Sequence, residues 1–296
     1  MKPRTSIWYS QKKMPYVFIA PFIVSFFLFQ LYPILNSFIM SFQYIVPGKV
    51  EFIGFGNYRN LWNPQYFQAL KVSAGYTFWI LAVLIPLPLL FAVWLNSPRL
   101  PGRNLFRSTL FIPALTSIIA AGAIFRLIFG TLETSLANSI LVGIGMEPQK
   151  WTMRAGTGMM LMVLLSSWRW LGVNVLYFLS GLQNIPNDLY EAADIDGANA
   201  WNKFFRITLP LLKPVSIYVL TISIYGGLSM FTESYVFWSN KSPGDLGLTI
   251  VGYLYRHSFE LFNLGFGSAI GVSLLFLVLS INLIQLKFFG LFGKGE

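Results

Sequence analysis

The sequence is poor in charge, lacks cysteine and holds a single histidine. Only 11% of its 296 residues are Asp, Glu, Lys or Arg, against roughly 25% in a soluble domain. A soluble fold of this length needs more charge than that to cover its surface, so the soluble-enzyme class is excluded. Without cysteine there is no disulfide framework, no thiol chemistry and no Cys-ligated metal; with His257 alone there is no clustered-histidine metal site. HExxH, GxSxG and any second histidine for a triad are also missing, so no catalytic residue is named. Neither GxxxxGKS nor GxxxxGKT occurs, so the chain has no phosphate cradle of its own for ATP.

What the chain has is apolar length. Mean hydropathy is +0.61 and 55% of the residues are hydrophobic. A helix needs about 20 mostly apolar residues to cross the hydrocarbon, and six such runs occur, at 15–42, 69–95, 108–129, 156–182, 214–238 and 264–289. They are continuous and not alternating, which excludes a membrane β-barrel. The expected fold class is therefore all-α: a polytopic membrane protein of six transmembrane helices, with residues 1–296 as a single membrane domain. The net charge of +10 sits beside these runs, which points to lipid headgroups and not to nucleic acid.

Lys2, Arg4, Lys12 and Lys13 precede the first run, and the positive-inside rule puts that end in the cytoplasm. Six crossings return the C-terminus to the same side. The first run is too long for a signal peptide, and no small-residue cleavage site closes it. On the outer side, the segment 43–68 is rich in Gly, Asn and aromatics, which suits an ordered, compact cap.

The most polar stretch is the expected cytoplasmic loop 183–213, with Asp188, Glu191, Asp194 and Asp196 close together. Asn187 or Asp188 suits a helix N-cap with Glu191 placed for a capping box. Gly197 breaks that helix, and Trp201, Phe204 and Phe205 fall at helical spacing on a second one before Pro210 and Pro214. Two short helices at a bend make a knob that suits a partner's groove, or else an interfacial helix lying on headgroups.

Two rows of side chains suit sugar, which asks for aromatic faces and hydrogen-bonding groups. Ser166, Trp170, Asn174 and Tyr177 share one face of the fourth span, and Tyr225, Ser229 and Glu233 share one face of the fifth. Packing of helix against helix is the competing reading of both rows. Arg169 lies mid-span, where it either contacts substrate or pairs with Glu233; Arg126, near a span end, reads as snorkelling to headgroups. His257 reads as a surface polar residue of an outer loop.

The spacing of Glu191-Ala192-Ala193, Gly197 and Ile207-Thr208-Leu209-Pro210 resembles the EAA loop of ABC importer permeases. The segment YEAADIDGANAWNKFFRITLPLLKP is similar to their carbohydrate branch, the maltose, glycerol-phosphate and oligosaccharide importers. PYVFIAPFIVSFFLFQLYPILNSFIMSF, FIGFGNYRNLW and MFTESYVFWS are similar to the first permease of such pairs, in a short form without extra spans. NKSPGD at 240–245 departs from the Gly-Gly-Pro turn of many relatives. The resemblance implies a permease subunit of a sugar importer in the bacterial or archaeal cytoplasmic membrane, the cargo being an oligosaccharide or, alternatively, a polyol or glycerol phosphate. It implies a coupling helix that docks in a cytoplasmic ATPase, carried here by Glu191, Ala192, Ala193, Asp196, Gly197, Trp201, Phe204, Phe205 and Pro210. It also implies substrate held midway through the membrane by the fourth and fifth spans. The partners implied are a second, non-identical permease, two ATPase subunits that bind ATP and Mg, and an extracytoplasmic sugar-binding protein; this chain itself would hold no cofactor or metal. An ion-coupled secondary transporter is the alternative class, but no inverted repeat or paired intramembrane acids support it.

Overall fold

The computed structural model describes residues 14–97 and 100–289. Lys2, Arg4, Lys12, Lys13, Arg99 and Lys294, which bear on the expected orientation, lie outside the described residues. Among the described residues, five helices are long and apolar enough to cross a membrane: Met14–Met40, Pro64–Asn96, Ala155–Gln183, Lys213–Trp238 and Leu264–Phe288. A sixth exists if the bent pair Arg103–Leu115 and Ile118–Ile128 is one span. The chain divides into two compact units.

The first unit comprises the described residues up to Leu61 together with Leu254–Ser273. It holds α1 (Met14–Phe26), a π-turn over Phe27–Leu31, and α2 (Tyr32–Met40). The cap expected at 43–68 begins as an antiparallel hairpin, β1 (Gln43–Val46) with β2 (Lys49–Phe52), in register Gln43↔Phe52 to Val46↔Lys49. Sequence reading did not identify these strands. The turn residues Pro47 and Gly48 are the signal for them, since a proline followed by a residue at positive φ makes a type II turn, and Gly48 has φ +78. In α3 (Gly56–Asn60), buried Asn57 donates from Nδ2 to the carbonyls of Ser41 at 2.9 Å and Gln43 at 2.8 Å, tying the hairpin to α2. His257 is half-buried and edge-on to Phe266 at 4.7 Å, so it is more than a surface group. Burial, and then the adjacent Arg256, lowers its imidazole pKa, which favours the neutral ring.

The second unit comprises Trp62–Tyr253 and the described residues from Leu274. α4 (Pro64–Leu84) starts at Asn63, whose side chain accepts from the Tyr66 amide at 2.9 Å. It breaks at Ile85 and resumes as α5 (Pro86–Asn96). Pro88 has no N–H for the Leu84 carbonyl four residues earlier, and Asn174 Nδ2 donates to that carbonyl instead, at 3.1 Å. Asn174 is 4% exposed. Replacing it with leucine is expected to leave the carbonyl bare and to cost about 1–3 kcal/mol, read as a fall in the melting temperature of the detergent-purified chain; an unchanged melt would sink this account.

The span expected at 108–129 is not straight. α6 (Arg103–Leu115) and α7 (Ile118–Ile128) meet at 95°, with Pro113 inside α6 and Thr116 extended at the joint. A short helix, α8 (Leu136–Gly143), follows, and buried Asn138 organises its loop by bonding the Gly130, Leu132 and Gln149 carbonyls, the Gln149 amide and the Trp151 indole. The long α9 (Ala155–Gln183) is the centre of the unit: α4, α5, α6 and α13 (Lys213–Leu228) all pack on it. After α13 the chain loses helical form over Ser229–Phe231 and resumes as α14 (Thr232–Trp238). In the second-unit part of α15 (Leu264–Phe288), Gln285 Nε2 donates to the Ile217 carbonyl at 3.2 Å and to Thr221 Oγ1 at 2.8 Å, fixing that stretch to α13.

Candidate functional site: a cavity at a helix break and a protruding loop

A cavity of about 490 Å³ opens between α4, α9, α13 and α14. It lies where the fifth span is interrupted, and Ser229, Met230 and Phe231 of the interruption line it. Irregular backbone at membrane depth is tolerated where it lines such a cavity. Ser166, Arg169, Trp170, Asn174, Tyr225, Ser229 and Glu233, all picked from the sequence, line it. Tyr76, Ile80 and Leu84 form a further wall that sequence reading missed, although their four-residue spacing on α4 was visible.

Polar groups in the cavity are partly committed to one another. Tyr76 Oη donates to Ser166 Oγ at 2.5 Å, and Ser166 Oγ donates to Glu233 Oε1 at 3.2 Å, a relay across α4, α9 and α14. Glu233 is half-buried at this wall, not in open water. The alternative pairing of Arg169 with Glu233 is not formed: no ion pair joins them among the described residues. The Arg169 guanidinium instead lies 5.4 Å from the Trp170 ring centroid, and its buried Nε has no hydrogen-bond partner. The cavity thus offers an arginine donor, a carboxylate acceptor, serines and exposed faces of Trp170 and Tyr225. That set is suited to a polyhydroxyl ligand with apolar C–H faces.

Two of the sequence-picked residues behave differently. Asn174 borders the cavity, but its Nδ2 donates to the Leu84 carbonyl. Tyr177 does not line the cavity at all; it meets Tyr218 edge-on at 5.2 Å and borders a smaller space. Helical-face arithmetic places Tyr177 correctly around the axis, but eleven residues of rise, about 16 Å from Ser166, carry it past the end of the cavity.

The loop after α9 is a bent, braced knob. α10 (Asn187–Ile195) starts after Pro186, which has no side-chain acceptor, so the expected Asn187 or Asp188 cap is displaced: Asn187 is already the first helical residue. At the other end the Ala198 amide bonds the Ala193 carbonyl at 2.8 Å and the Gly197 amide bonds that of Asp194 at 3.0 Å. With Gly197 at φ +74, this is a Schellman stop. Asn199 then caps α11 (Ala200–Lys203) by accepting from the Asn202 amide, and a π-turn over Phe204–Thr208 leads to α12 (Leu209–Leu211). Two contacts brace the bend: Lys203 Nζ to Asp194 Oδ1 at 2.5 Å, and Tyr190 Oη with Thr208 Oγ1 at 2.9 Å. Phe204 packs inward, whereas Glu191, Ala192, Asp196, Gly197, Phe205 and Pro210 are exposed and Ala193 is half-exposed. Trp201, 71% exposed, stacks on Phe205 at 5.8 Å.

The comparisons agree with this anatomy. The chain is 60% identical over 290 residues to the arabinooligosaccharides transport system permease protein AraP of Bacillus subtilis (strain 168), covering 98% of this chain and 92% of that one. It is 34% identical to the lactose transport system permease protein LacF of Rhizobium radiobacter, over 93% of this chain and 92% of that one. In fold it superposes on a chain in the crystal structure of a bacterial ABC transporter involved in the import of the acidic polysaccharide alginate, with TM-score 0.84 at 22% identity, covering 95% of this chain and 96% of that one. A structure of a bacterial alginate ABC transporter in complex with an alginate pentasaccharide-bound periplasmic protein matches with TM-score 0.82 at 23% identity, over 94% and 95% of the two chains. The family model described as the binding-protein-dependent transport system inner membrane component matches residues 84–292, and the chain, a multi-pass membrane protein, belongs to that family.

Proposed function

We infer that this chain is a permease subunit of an ATP-driven, binding-protein-dependent importer, and that its cargo is a neutral oligosaccharide of the arabino-oligosaccharide class. The observation that carries this reading is the cavity at the break in the fifth span, whose aromatic faces and mixed donors and acceptors suit sugar; the 60% identity to an arabinooligosaccharide permease supports the cargo. About 490 Å³ lies within the range of roughly 300–1,000 Å³ for small-ligand sites. Cargo sits between Arg169 and Trp170 on one wall and Tyr225, Ser229 and Glu233 on the other. The chain has no phosphate loop, so partner ATPases supply the ATP and Mg chemistry and this subunit is non-catalytic.

In this reading the loop 183–213 faces the cytoplasm, as do both termini, and its exposed face from Glu191 to Trp201 and Phe205 docks in an ATPase cleft. The remaining partners are a second, non-identical permease and an extracytoplasmic sugar-binding protein that delivers the cargo. ATPase closure displaces the braced loop, and the loop moves the ends of α9 and α13, rocking the cavity between its two accessible states.

The test is uptake by vesicles that carry the chain with its partner permease and ATPases. Labelled arabino-oligosaccharide is expected to accumulate only with ATP on the ATPase side and a loaded binding protein on the other. Uptake that persists without the ATPase would replace this reading with an ion-coupled carrier.

A further inference from the structure

Tyr177 and Tyr218 are the residues that the substrate reading leaves without a task. They belong to α9 and α13, the two helices that share the wall of the main cavity and that the coupling loop joins. Along α9 the order is Trp170 and Asn174 in the main cavity, then Tyr177, then Ser180 and Asn184 in a second cavity of about 310 Å³. Along α13, running the other way, the order is Ile222 in the main cavity, then Tyr218, then Pro214 in the second. The two cavities therefore lie in series along one seam. At the end of the second cavity nearer the main one, Tyr177 and Tyr218 form an edge-to-face ring pair, 5.2 Å between centroids at 87°.

The second cavity lies on the coupling-loop side of the pair. Beside it, Gly181 brings α9 so close to the start of α13 that a Cβ there would meet Val215 Cγ2 at 2.7 Å and Leu212 Cδ2 at 2.8 Å. The Val215 and Leu212 side chains seat directly on the Gly181 backbone, and this close packing is the pivot of the proposal below. The loop leaves α9 at Gln183 and enters α13 at Lys213, so Tyr177 is about 9 Å of helix rise from the loop's exit. Because the Tyr190–Thr208 and Lys203–Asp194 contacts brace the loop, a displacement of it passes to these two helix ends and not into bending of the loop.

We propose that the Tyr177–Tyr218 pair is the inner gate of this chain's half of the transport path, closed when the rings meet and opened when the coupling loop swings α9 and α13 about the Gly181 contact. The proposal rests on the importer reading above. Two phenol rings edge-on close the seam with apolar area, while their hydroxyls stay available to water when the rings part. The pair is a positioning device and is not assigned to cargo binding.

The chain contains no cysteine, so Tyr177→Cys with Tyr218→Cys adds the only thiols this subunit carries. In the complete transporter, joining them with a short bifunctional thiol reagent is expected to lower uptake at least tenfold relative to the untreated double variant, with recovery on reduction; the reagent leaves each single variant at that variant's own untreated rate. Transport that proceeds unchanged with the rings' positions linked overturns the gate. A second measurement does not depend on the cargo. Ser229→Cys, in the main cavity, is labelled by a small membrane-impermeant reagent added on the loop side, with and without Tyr177→Ala. Labelling about tenfold faster in the Tyr177→Ala background supports the gate, with Tyr177→Phe restoring the slow rate; equal rates overturn it. If labelling responds in this way while no arabino-oligosaccharide is taken up by the unsubstituted transporter, the gate stands and the cargo reading fails.

Discussion

On the proposed importer reading, replacing Trp201 with alanine is expected to detach the ATPase subunits from this chain while leaving the membrane helices intact. Trp201 is 71% exposed at the tip of the knob and stacks on Phe205, itself 53% exposed, with an interplanar angle of 10°. Two large rings held flat against each other in water are poor surface and good interface. Aromatic anchors of this kind typically cost about 2 kcal/mol or more on truncation in a docked complex, roughly 30-fold in affinity. The chain's own stability should change by less than about 0.5 kcal/mol, because an exposed side chain away from caps and cores carries little of it. Co-purification of the ATPase in mild detergent, with a melting curve of the permease as control, reads both effects. ATPase retained at full stoichiometry would favour the competing reading, in which the rings rest on lipid headgroups.

The second large effect is expected at Gly172. A Cβ built there would fall inside the Leu110 carbonyl group and lie 3.0 Å from the Phe111 amide nitrogen, so α6 and α9 touch backbone to backbone. A side-chain neighbour can rotate away; a helix backbone cannot, and small residues at such crossings are what let membrane helices approach. Gly172→Ala is expected to cost about 3 kcal/mol, at the upper end for overpacking. Gly156, at the start of the same helix, has nothing within 4 Å of its Cβ position, and alanine there should be neutral or stabilising by up to about 1 kcal/mol. The pair of melting temperatures in detergent decides it: equal values for the two variants would show that α6 yields.

Most of the helical plan was legible because hydrocarbon thickness imposes a length on apolar runs, and such runs are read directly from the chain. Interruptions were harder to read. The break at Ile85 has prolines beside it, but the loss of helix over Ser229–Phe231 has only the preceding Gly226 and Gly227 as a warning, and a hydropathy window averages over both. The site followed the same division. Angular position on α9 brought Ser166, Arg169, Trp170 and Asn174 to one cavity, while axial extent, which no periodicity encodes, separated Tyr177 from them. That Arg169 and Glu233 do not pair with each other depends on where α9 and α14 sit, which is a tertiary fact. The Schellman stop at Gly197 was foreseeable in kind, since a glycine closing a short helix needs only local geometry.

The bond from Asn174 to the Leu84 carbonyl also has an evolutionary reading. Pro88 creates the vacancy and Asn174 fills it, although the two lie 86 residues apart in sequence. Neither is useful alone: a residue with an N–H at 88 would supply the carbonyl from within the helix and make the amide at 174 redundant, while proline without the amide would leave a bare acceptor in the core. The two positions should therefore be inherited as one character among relatives, gained and lost together, with intermediates that hold only the proline selected against.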